Sequence, residues 1–265
     1  MKKYCVIGNP IEHSLSPNLH NYWIKKNNIN AIYEKEKVNK EDLESIIFKV
    51  KQNLIQGMNV TVPFKRDVIS HLDNLSPEAD LTQSVNTIYL NNGKLIGHNT
   101  DIAGFELSIK KLKYEINNKR VLILGAGGVV PSIIFALQRM KVLSIAVTNR
   151  TKKKAEDLKF FFKELEIIDW GDIPYFDIVI NATSIGLNKE DKINLNFSNV
   201  ENNKLFYDVI YNPEETEFLK TGKKLGNVTE NGKMMFIYQA HQAFTIWHKI
   251  MPEIDDETLK VLKND

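Results

Sequence analysis

The apolar run Val121-Leu122-Ile123-Leu124 passes directly into Gly125-Ala126-Gly127-Gly128, and residues 129–140 continue at helical spacing. Few folds accept that order. One glycine permits a sharp turn, the next lets backbone N–H groups approach a pyrophosphate, and the following helix N-terminus adds partial positive charge. The surrounding chain repeats the alternation. Ser144–Thr148 reads as a strand, 152–164 as a helix, and 177–181 and 205–209 as further strands. Strands alternating with helices predict a parallel sheet covered on both faces. Two features depart from the usual dinucleotide turn. Val130 stands at the third glycine position, which predicts wider helix–strand spacing, and Pro131 falls in the first helical turn, where a missing N–H costs little. A tight turn that binds nothing is the competing reading.

The end of the next strand discriminates between cofactors. An acidic residue there would hold the ribose 2′-hydroxyl of NAD. This chain has Asn149-Arg150-Thr151 instead, followed by Lys152-Lys153-Lys154. A guanidinium and a hydroxyl suit a 2′-phosphate, which an acid would repel. NADP(H) is therefore expected over NAD. The three lysines read as a solvated helix face.

With 265 residues, the chain is long enough for two domains of roughly 100–200 residues or one large one. The first block also alternates. Residues 4–7, 31–38 and 58–62 read as strands, and 41–51 as a helix with Leu43, Ile46, Ile47 and Val50 on one face. Ser16-Pro17 opens another helix, with Ser16 as N-cap and Pro17 at the first helical position. Asn91-Asn92-Gly93 joins 85–90 to 94–97 as a hairpin. Residues 102–112 begin the second block as a helix. From Gly232 onward, Met235, Phe236, Ala240, Ala243, Phe244, Trp247 and Ile250 form one apolar helical face, expected to pack back on the N-terminal block.

Composition excludes several classes. Lys+Arg is 35 against Asp+Glu 33, a net charge of +2, which argues against a nucleic-acid groove. No apolar run approaches the ~18–20 residues that span a bilayer. The single cysteine, Cys5, permits no intramolecular disulfide and reads as a buried strand thiol. The N-terminus enters a strand without a secretory apolar region, so a cytoplasmic location is expected. No His/Cys/carboxylate group has metal-ligand spacing, and no metal is expected.

Polar residues stand in unusual places in the first block. Two hydroxyls, Ser14 and Ser16, flank a helix start and could bind a carboxylate or simply cap the helix. Asn59-Val60-Thr61-Val62-Pro63-Phe64-Lys65 ends a strand with a lysine just beyond it. Val85-Asn86-Thr87 and Gly97-His98-Asn99-Thr100-Asp101 add further polar groups. Surface lysines and helix-capping aspartates are common, so neither Lys65 nor Asp101 is diagnostic alone.

Together these segments resemble the shikimate dehydrogenase family. The resemblance covers almost the entire chain, including 8–17, 59–65, 85–87, 99–101, 125–128, 149–151, Asn181-Ala182-Thr183-Ser184-Ile185-Gly186, 208–213 and 239–244. It implies an α/β fold with an N-terminal substrate domain at 1–101 and 233–265. A Rossmann-like NADP-binding domain would span 102–232, and the C-terminal helices would return to the substrate domain. Ser14 and Ser16 would hold the substrate carboxylate, and Asn59 and Thr61 would line the pocket. Asn86, Asp101 and Gln239 would bind ring hydroxyls, with Tyr211 nearby. Lys65 would be catalytic, paired with Asp101. Gly125, Ala126, Gly127 and Gly128 would hold the pyrophosphate, and Asn149, Arg150 and Thr151 the 2′-phosphate. Thr183, Val209 and Gly232 would lie at the nicotinamide end. His13 matches the motif and is expected to buttress the serine loop. Val129-Val130-Pro131, Gln83-Ser84 and His98 depart from the family pattern without touching the expected chemistry.

The resemblance implies oxidoreduction at a CH–OH group in aromatic amino acid biosynthesis: reversible reduction of the ring ketone 3-dehydroshikimate to shikimate. The implied partner is a small molecule, with no nucleic acid and no membrane; a homodimer is compatible, and the sequence does not fix oligomeric state. Three alternatives remain: a quinate/shikimate dehydrogenase using NAD, a non-catalytic NADP-binding sensor on the same fold, and a methyltransferase with a glycine-rich turn. Fold alone does not separate them.

Overall fold

The computed structural model describes residues 1–188 and 190–262. In chain order the first elements are β1 (Lys2–Gly8), α1 (Ser16–Lys26), β2 (Ala31–Lys37), α2 (Leu43–Lys51), β3 (Gly57–Val60), β4 (Asn74–Leu75), α3 (Pro77–Thr82), β5 (Thr87–Asn91) and β6 (Lys94–His98). There follow α4 (Asp101–Leu112), β7 (Arg120–Leu124), α5 (Val130–Arg139), β8 (Ser144–Thr148), α6 (Lys152–Leu158), β9 (Glu166–Ile168), β10 (Ile178–Asn181), β11 (Leu205–Asp208), α7 (Glu217–Lys224) and β12 (Val228–Glu230). Two helices, α8 (Lys233–His248) and α9 (Asp256–Lys260), end the chain. By contacts the chain divides into two units, Met1–Gly104 with Ile237–Asp265, and Phe105–Phe236.

The first unit is built on a six-stranded mixed sheet in the order β2-β1-β3-β5-β6-β4. Strands β2, β1 and β3 run parallel, whereas β5 is antiparallel to β3 and β6. The reversal from β5 to β6 comes from the Asn92-Gly93 turn, where φ is 50° and 75°, the left-handed backbone of the tight hairpin that suits strand twist. One sheet face packs on α2 through Leu43, Ile46, Ile47 and Val50, the stripe expected from its spacing. The C-terminal helix α8 belongs to this sheet as well. The Trp247 indole N–H donates to the Ile88 carbonyl at 3.3 Å, and its ring lies 5.3 Å from that of Tyr4. The expected return of the final helices to the N-terminal block is therefore observed.

The second unit holds six parallel strands in the order β12-β11-β10-β7-β8-β9. The order reverses direction between β7 and β10, so the C-terminal ends of those strands form the crevice where Rossmann-like sheets bind ligands. Leu122, Ile123, Leu124, Val179 and Ile180 are fully buried, as strands covered on both faces require. Val130 is also fully buried, so the larger residue at the third glycine position is absorbed into the helix–sheet core. Pro131 occupies the first helical turn.

Candidate active site

Lys65 and Asp101 reach each other by separate routes. Beyond β3, a turn closed by the Phe64 N–H donating to the Thr61 carbonyl buries Phe64 and sets Lys65 against the sheet end. The Lys65 carbonyl accepts from the Val85 N–H at 2.8 Å, which fixes that turn to the strand leading into β5. Asp101 is the first residue of α4, and its N–H donates to Asn99 Oδ1 at 3.1 Å. Lys65 Nζ lies 2.5 Å from Asp101 Oδ2, with the two side chains 11% and 8% exposed. A buried ammonium and carboxylate hold their charges only when paired and hydrogen-bonded.

Asn86 completes the pair. Its Nδ2 donates to Asp101 Oδ1 at 2.9 Å and lies 3.4 Å from Gln239 Oε1 on α8. Its Oδ1 accepts from the Thr100 N–H at 2.8 Å and from the Thr100 hydroxyl at 3.1 Å, so the polarity of the amide is set. The result is a localised ammonium beside polar groups of fixed orientation. Such a group can stabilise charge developing on a substrate oxygen and pass it a proton.

Ser14, Ser16, Asn59 and Thr61 lie in the same unit. The Ser16 N–H donates to Ser14 Oγ at 3.3 Å, and no side chain of the N-cap residue, Leu15, caps α1. Ser16 is thus the first helical residue and not the cap, because Ser14 already supplies the acceptor ahead of the helix. Asn59 is buried; its Nδ2 donates to the Asn86 carbonyl at 3.0 Å and to Thr87 Oγ1 at 3.1 Å. The Thr61 N–H donates to the Ile7 carbonyl, which ties its loop to β1. Thr87, Thr100 and Tyr33 received no role from the sequence. Their polar atoms inside apolar strands or at a helix start were the available signal.

The second unit presents the dinucleotide elements. Gly125 has φ +112°, and a Cβ there would stand 2.9 Å from the Ala182 carbonyl oxygen, so a side chain cannot enter the turn. Gly127 and Gly128 are exposed, and no side chain caps the start of α5. An open backbone turn ahead of a helix is the cradle a pyrophosphate needs. Asn149 Nδ2 donates to the Thr151 carbonyl at 2.8 Å and closes the loop after β8. Arg150 is exposed on that loop. Lys152 and Lys153 pair with Asp169 and Asp157 at 2.6 and 3.0 Å, whereas among the described residues Arg150 has no ion-pair partner. The open glycine turn and the exposed Arg150 have the chemistry to suit the phosphates of NADP.

At the end of β10, Asn181 Oδ1 accepts from the Thr183 hydroxyl at 2.7 Å and from the Thr183 N–H at 3.1 Å. Asn181 Nδ2 donates to Asp208 Oδ1 at 3.0 Å, and Asp208 also accepts from the Ile210 N–H and the Thr216 hydroxyl. Burial pushes the Asp208 carboxyl up to about 6 against those three donors. Asn181 and Asp208 thus hold the loops that carry Thr183 and Val209; sequence reasoning gave them no role. The Gly232 N–H donates to the Ile210 carbonyl at 3.0 Å. Tyr211 lies in this unit, stacked on Phe236 with centroids 4.3 Å apart, whereas the other residues expected to meet substrate lie in the first. Among the described residues, no group of three His, Cys, Asp or Glu could hold a metal, and no helix is long and apolar enough to cross a membrane.

Comparison with known proteins follows the same division. Residues 6–88 match the shikimate dehydrogenase substrate binding domain, and residues 106–214 match the shikimate / quinate 5-dehydrogenase domain. A shikimate dehydrogenase (NADP(+)) from Pelagibacter ubique is 58% identical over 261 residues, covering 98% of each chain. The crystal structure of shikimate dehydrogenase from Aquifex aeolicus superposes with a TM-score of 0.92 at 34% identity, covering 100% of this chain and 98% of that one. A shikimate 5-dehydrogenase from Thermus thermophilus, solved in complex with NADP(H) and shikimate, gives a TM-score of 0.89 at 29% identity, covering 99% and 100%. With both domains matched and relatives aligned end to end, the chain belongs to the shikimate dehydrogenase family.

Proposed function

We propose that this chain catalyses the reversible, NADP-dependent reduction of 3-dehydroshikimate to shikimate. The observation that carries the reading is the buried Lys65–Asp101 pair, bonded through Asn86 in reach of Gln239. NADPH, when bound, supplies the hydride. Negative charge then grows on the ketone oxygen, where the Lys65 ammonium donates a hydrogen bond and passes a proton. In the reverse direction the neutral Lys65 amine accepts the hydroxyl proton. Asp101 holds the lysine in place and accepts from a ring hydroxyl. Asn86 and Gln239 contact ring hydroxyls, Ser14 and Ser16 take the substrate carboxylate, and Asn59 and Thr61 wall the pocket. In the cofactor unit, Gly125–Gly128 take the pyrophosphate, Asn149–Thr151 the 2′-phosphate, and Thr183, Val209 and Gly232 the nicotinamide end. Tyr211 adds a contact to substrate.

The single functional division proposed places substrate chemistry in 1–101 and 233–265 and cofactor binding in 102–232. The reading also places the enzyme in the cytoplasm and is compatible with a homodimer, which sedimentation equilibrium would reveal. Activity is tested by following reduced-nicotinamide absorbance with shikimate or quinate against NADP+ or NAD+. A signal with shikimate and NADP+ far above the other three combinations is the expected result. A dominant quinate–NAD+ signal, or none at all, would reject it.

A further inference from the structure

Asn181 and Asp208 end neighbouring parallel strands, are register partners, and are both fully buried. Every polar atom of the Asn181 side chain is committed. Its Nδ2 donates to the Ile185 carbonyl at 3.1 Å and to Asp208 Oδ1 at 3.0 Å, and its Oδ1 accepts from the Thr183 N–H and hydroxyl. Thr183 Oγ1 in turn accepts from the Ile185 N–H at 3.1 Å. Asp208 Oδ1 also accepts from the Ile210 N–H at 3.0 Å, and its Oδ2 accepts from the Thr216 hydroxyl at 2.7 Å. Thr216 is the N-cap of α7, its oxygen accepting from the Leu219 N–H at 3.3 Å.

One carboxylate therefore anchors three segments: the loop after β10 with Thr183, the loop after β11 with Val209, and the start of α7. Gly186, at φ +116°, lets the first close on the third, since a Cβ there would stand 3.1 Å from Thr216 Cγ2. Gly232 joins the same body. Its N–H donates to the Ile210 carbonyl, and a Cβ there would overlap the Val209 carbonyl oxygen. The three donors to Asp208 are all neutral. Apolar residues would fill such a space without the desolvation cost of a charge. What a carboxylate adds is direction, because its two oxygens orient three donors at once.

We propose that Asp208 is a positioning residue for the nicotinamide half of NADP(H), acting through Asn181, Ile210 and Thr216 on the loops that carry Thr183, Val209 and Gly232. The proposal rests on the reading that these three residues meet the nicotinamide end. The phosphates and the adenine half belong to the glycine turn and Arg150, which Asp208 does not touch. Losing Asp208 should therefore separate the two halves of the cofactor.

Calorimetric titration of NADP+ and of adenosine 2′,5′-bisphosphate, which has the ribose phosphate but no nicotinamide, tests this. Asp208→Ala should weaken NADP+ about ten- to hundredfold, the worth of a lost charge-assisted contact. Adenosine 2′,5′-bisphosphate should stay within about twofold. Asp208→Asn keeps one acceptor oxygen and should fall between, about three- to tenfold weaker for NADP+. In both variants kcat should drop about tenfold or more, because a misplaced reacting carbon loses orientation, while the KM for shikimate stays within about twofold. Unchanged NADP+ affinity, or equal weakening of both ligands, overturns the proposal. Should Asp208→Ala fail to fold, Asp208→Asn alone decides by the same two titrations. Wild-type protein with labelled Thr and Val methyls and bound NADP+ isolates the underlying reading. Nuclear Overhauser contacts from the nicotinamide ring to Thr183 and Val209 support that reading, and their absence rejects it and the Asp208 proposal with it.

Discussion

Lys65 and Asp101 lie 36 residues apart in the chain and meet as a buried ion pair whose second carboxylate oxygen is held by Asn86. A cation so placed acts on substrate charge with little reorganisation. Replacing it with a neutral side chain removes both the proton and the charge. Lys65→Ala should lower turnover roughly 10²–10⁴-fold, the range of a lost acid–base group, with much less change in shikimate KM. Single-turnover and steady-state rates with shikimate and NADP+ check this, and near-normal turnover would remove Lys65 from the role.

The same pair predicts a stability effect. Asp101→Asn strands the Lys65 ammonium in a buried site, which costs about 3–5 kcal/mol when one partner of a buried pair is lost. Neutralising the lysine as well relieves that cost. A Lys65→Met, Asp101→Asn double variant should therefore unfold at higher urea than Asp101→Asn alone, although both are inactive. A double variant less stable than Asp101→Asn would show that the pair does not bear an unfavourable buried charge when broken.

Arg150 sits on the exposed loop closed by the Asn149–Thr151 hydrogen bond. A charge-assisted contact to phosphate is worth about 1.5–3 kcal/mol, or roughly ten- to hundredfold in affinity. Arg150→Ala should weaken NADP+ by that factor and leave NAD+ nearly untouched. Titration of both cofactors at one ionic strength gives the comparison. Equal weakening of both would contradict the assignment of Arg150 to the 2′-phosphate.

Local pattern made much of this fold legible. Ser144–Thr148 is read from the sequence at its observed bounds, because a short β-branched apolar run has no other good use before Asn149-Arg150. Helix α6 was expected to reach residue 164 but ends at Leu158. Leu158 and Phe162 are both buried, so their spacing suits a helix, yet residues 159–162 close as turns instead. Strands β4, β9 and β12 have two or three residues, too few for a period to declare itself. Helix α9 was missed despite a readable capping box at Asp255 and Thr258. Among candidate site residues, those in contiguous motifs could be singled out. The Tyr33–Asn59 and Asn181–Asp208 bonds join partners 26 and 27 residues apart, and no local pattern encodes such a meeting.

His20 makes the acid limb of stability predictable. Its ring is 1% exposed among Trp23, Tyr33, Phe244 and Trp247, and among the described residues neither ring nitrogen has a hydrogen-bond partner. Burial, with a smaller contribution from His248, pushes its pKa down to about 3. In the unfolded chain an imidazole titrates near 6.5. Between those values the unfolded state binds more protons, so stability rises with pH and is lost as pH falls below about 6.5. From pH 6.5 to 5 that linkage amounts to roughly 1.5–2 kcal/mol. His20→Phe keeps an aromatic ring against Tyr33 without the titrating group. Its unfolding free energy should fall less than that of wild type over the same pH interval, by about that amount. Urea melts at several pH values measure both slopes. Parallel slopes would mean that His20 is protonated in the native state, or that its ring is reached by water.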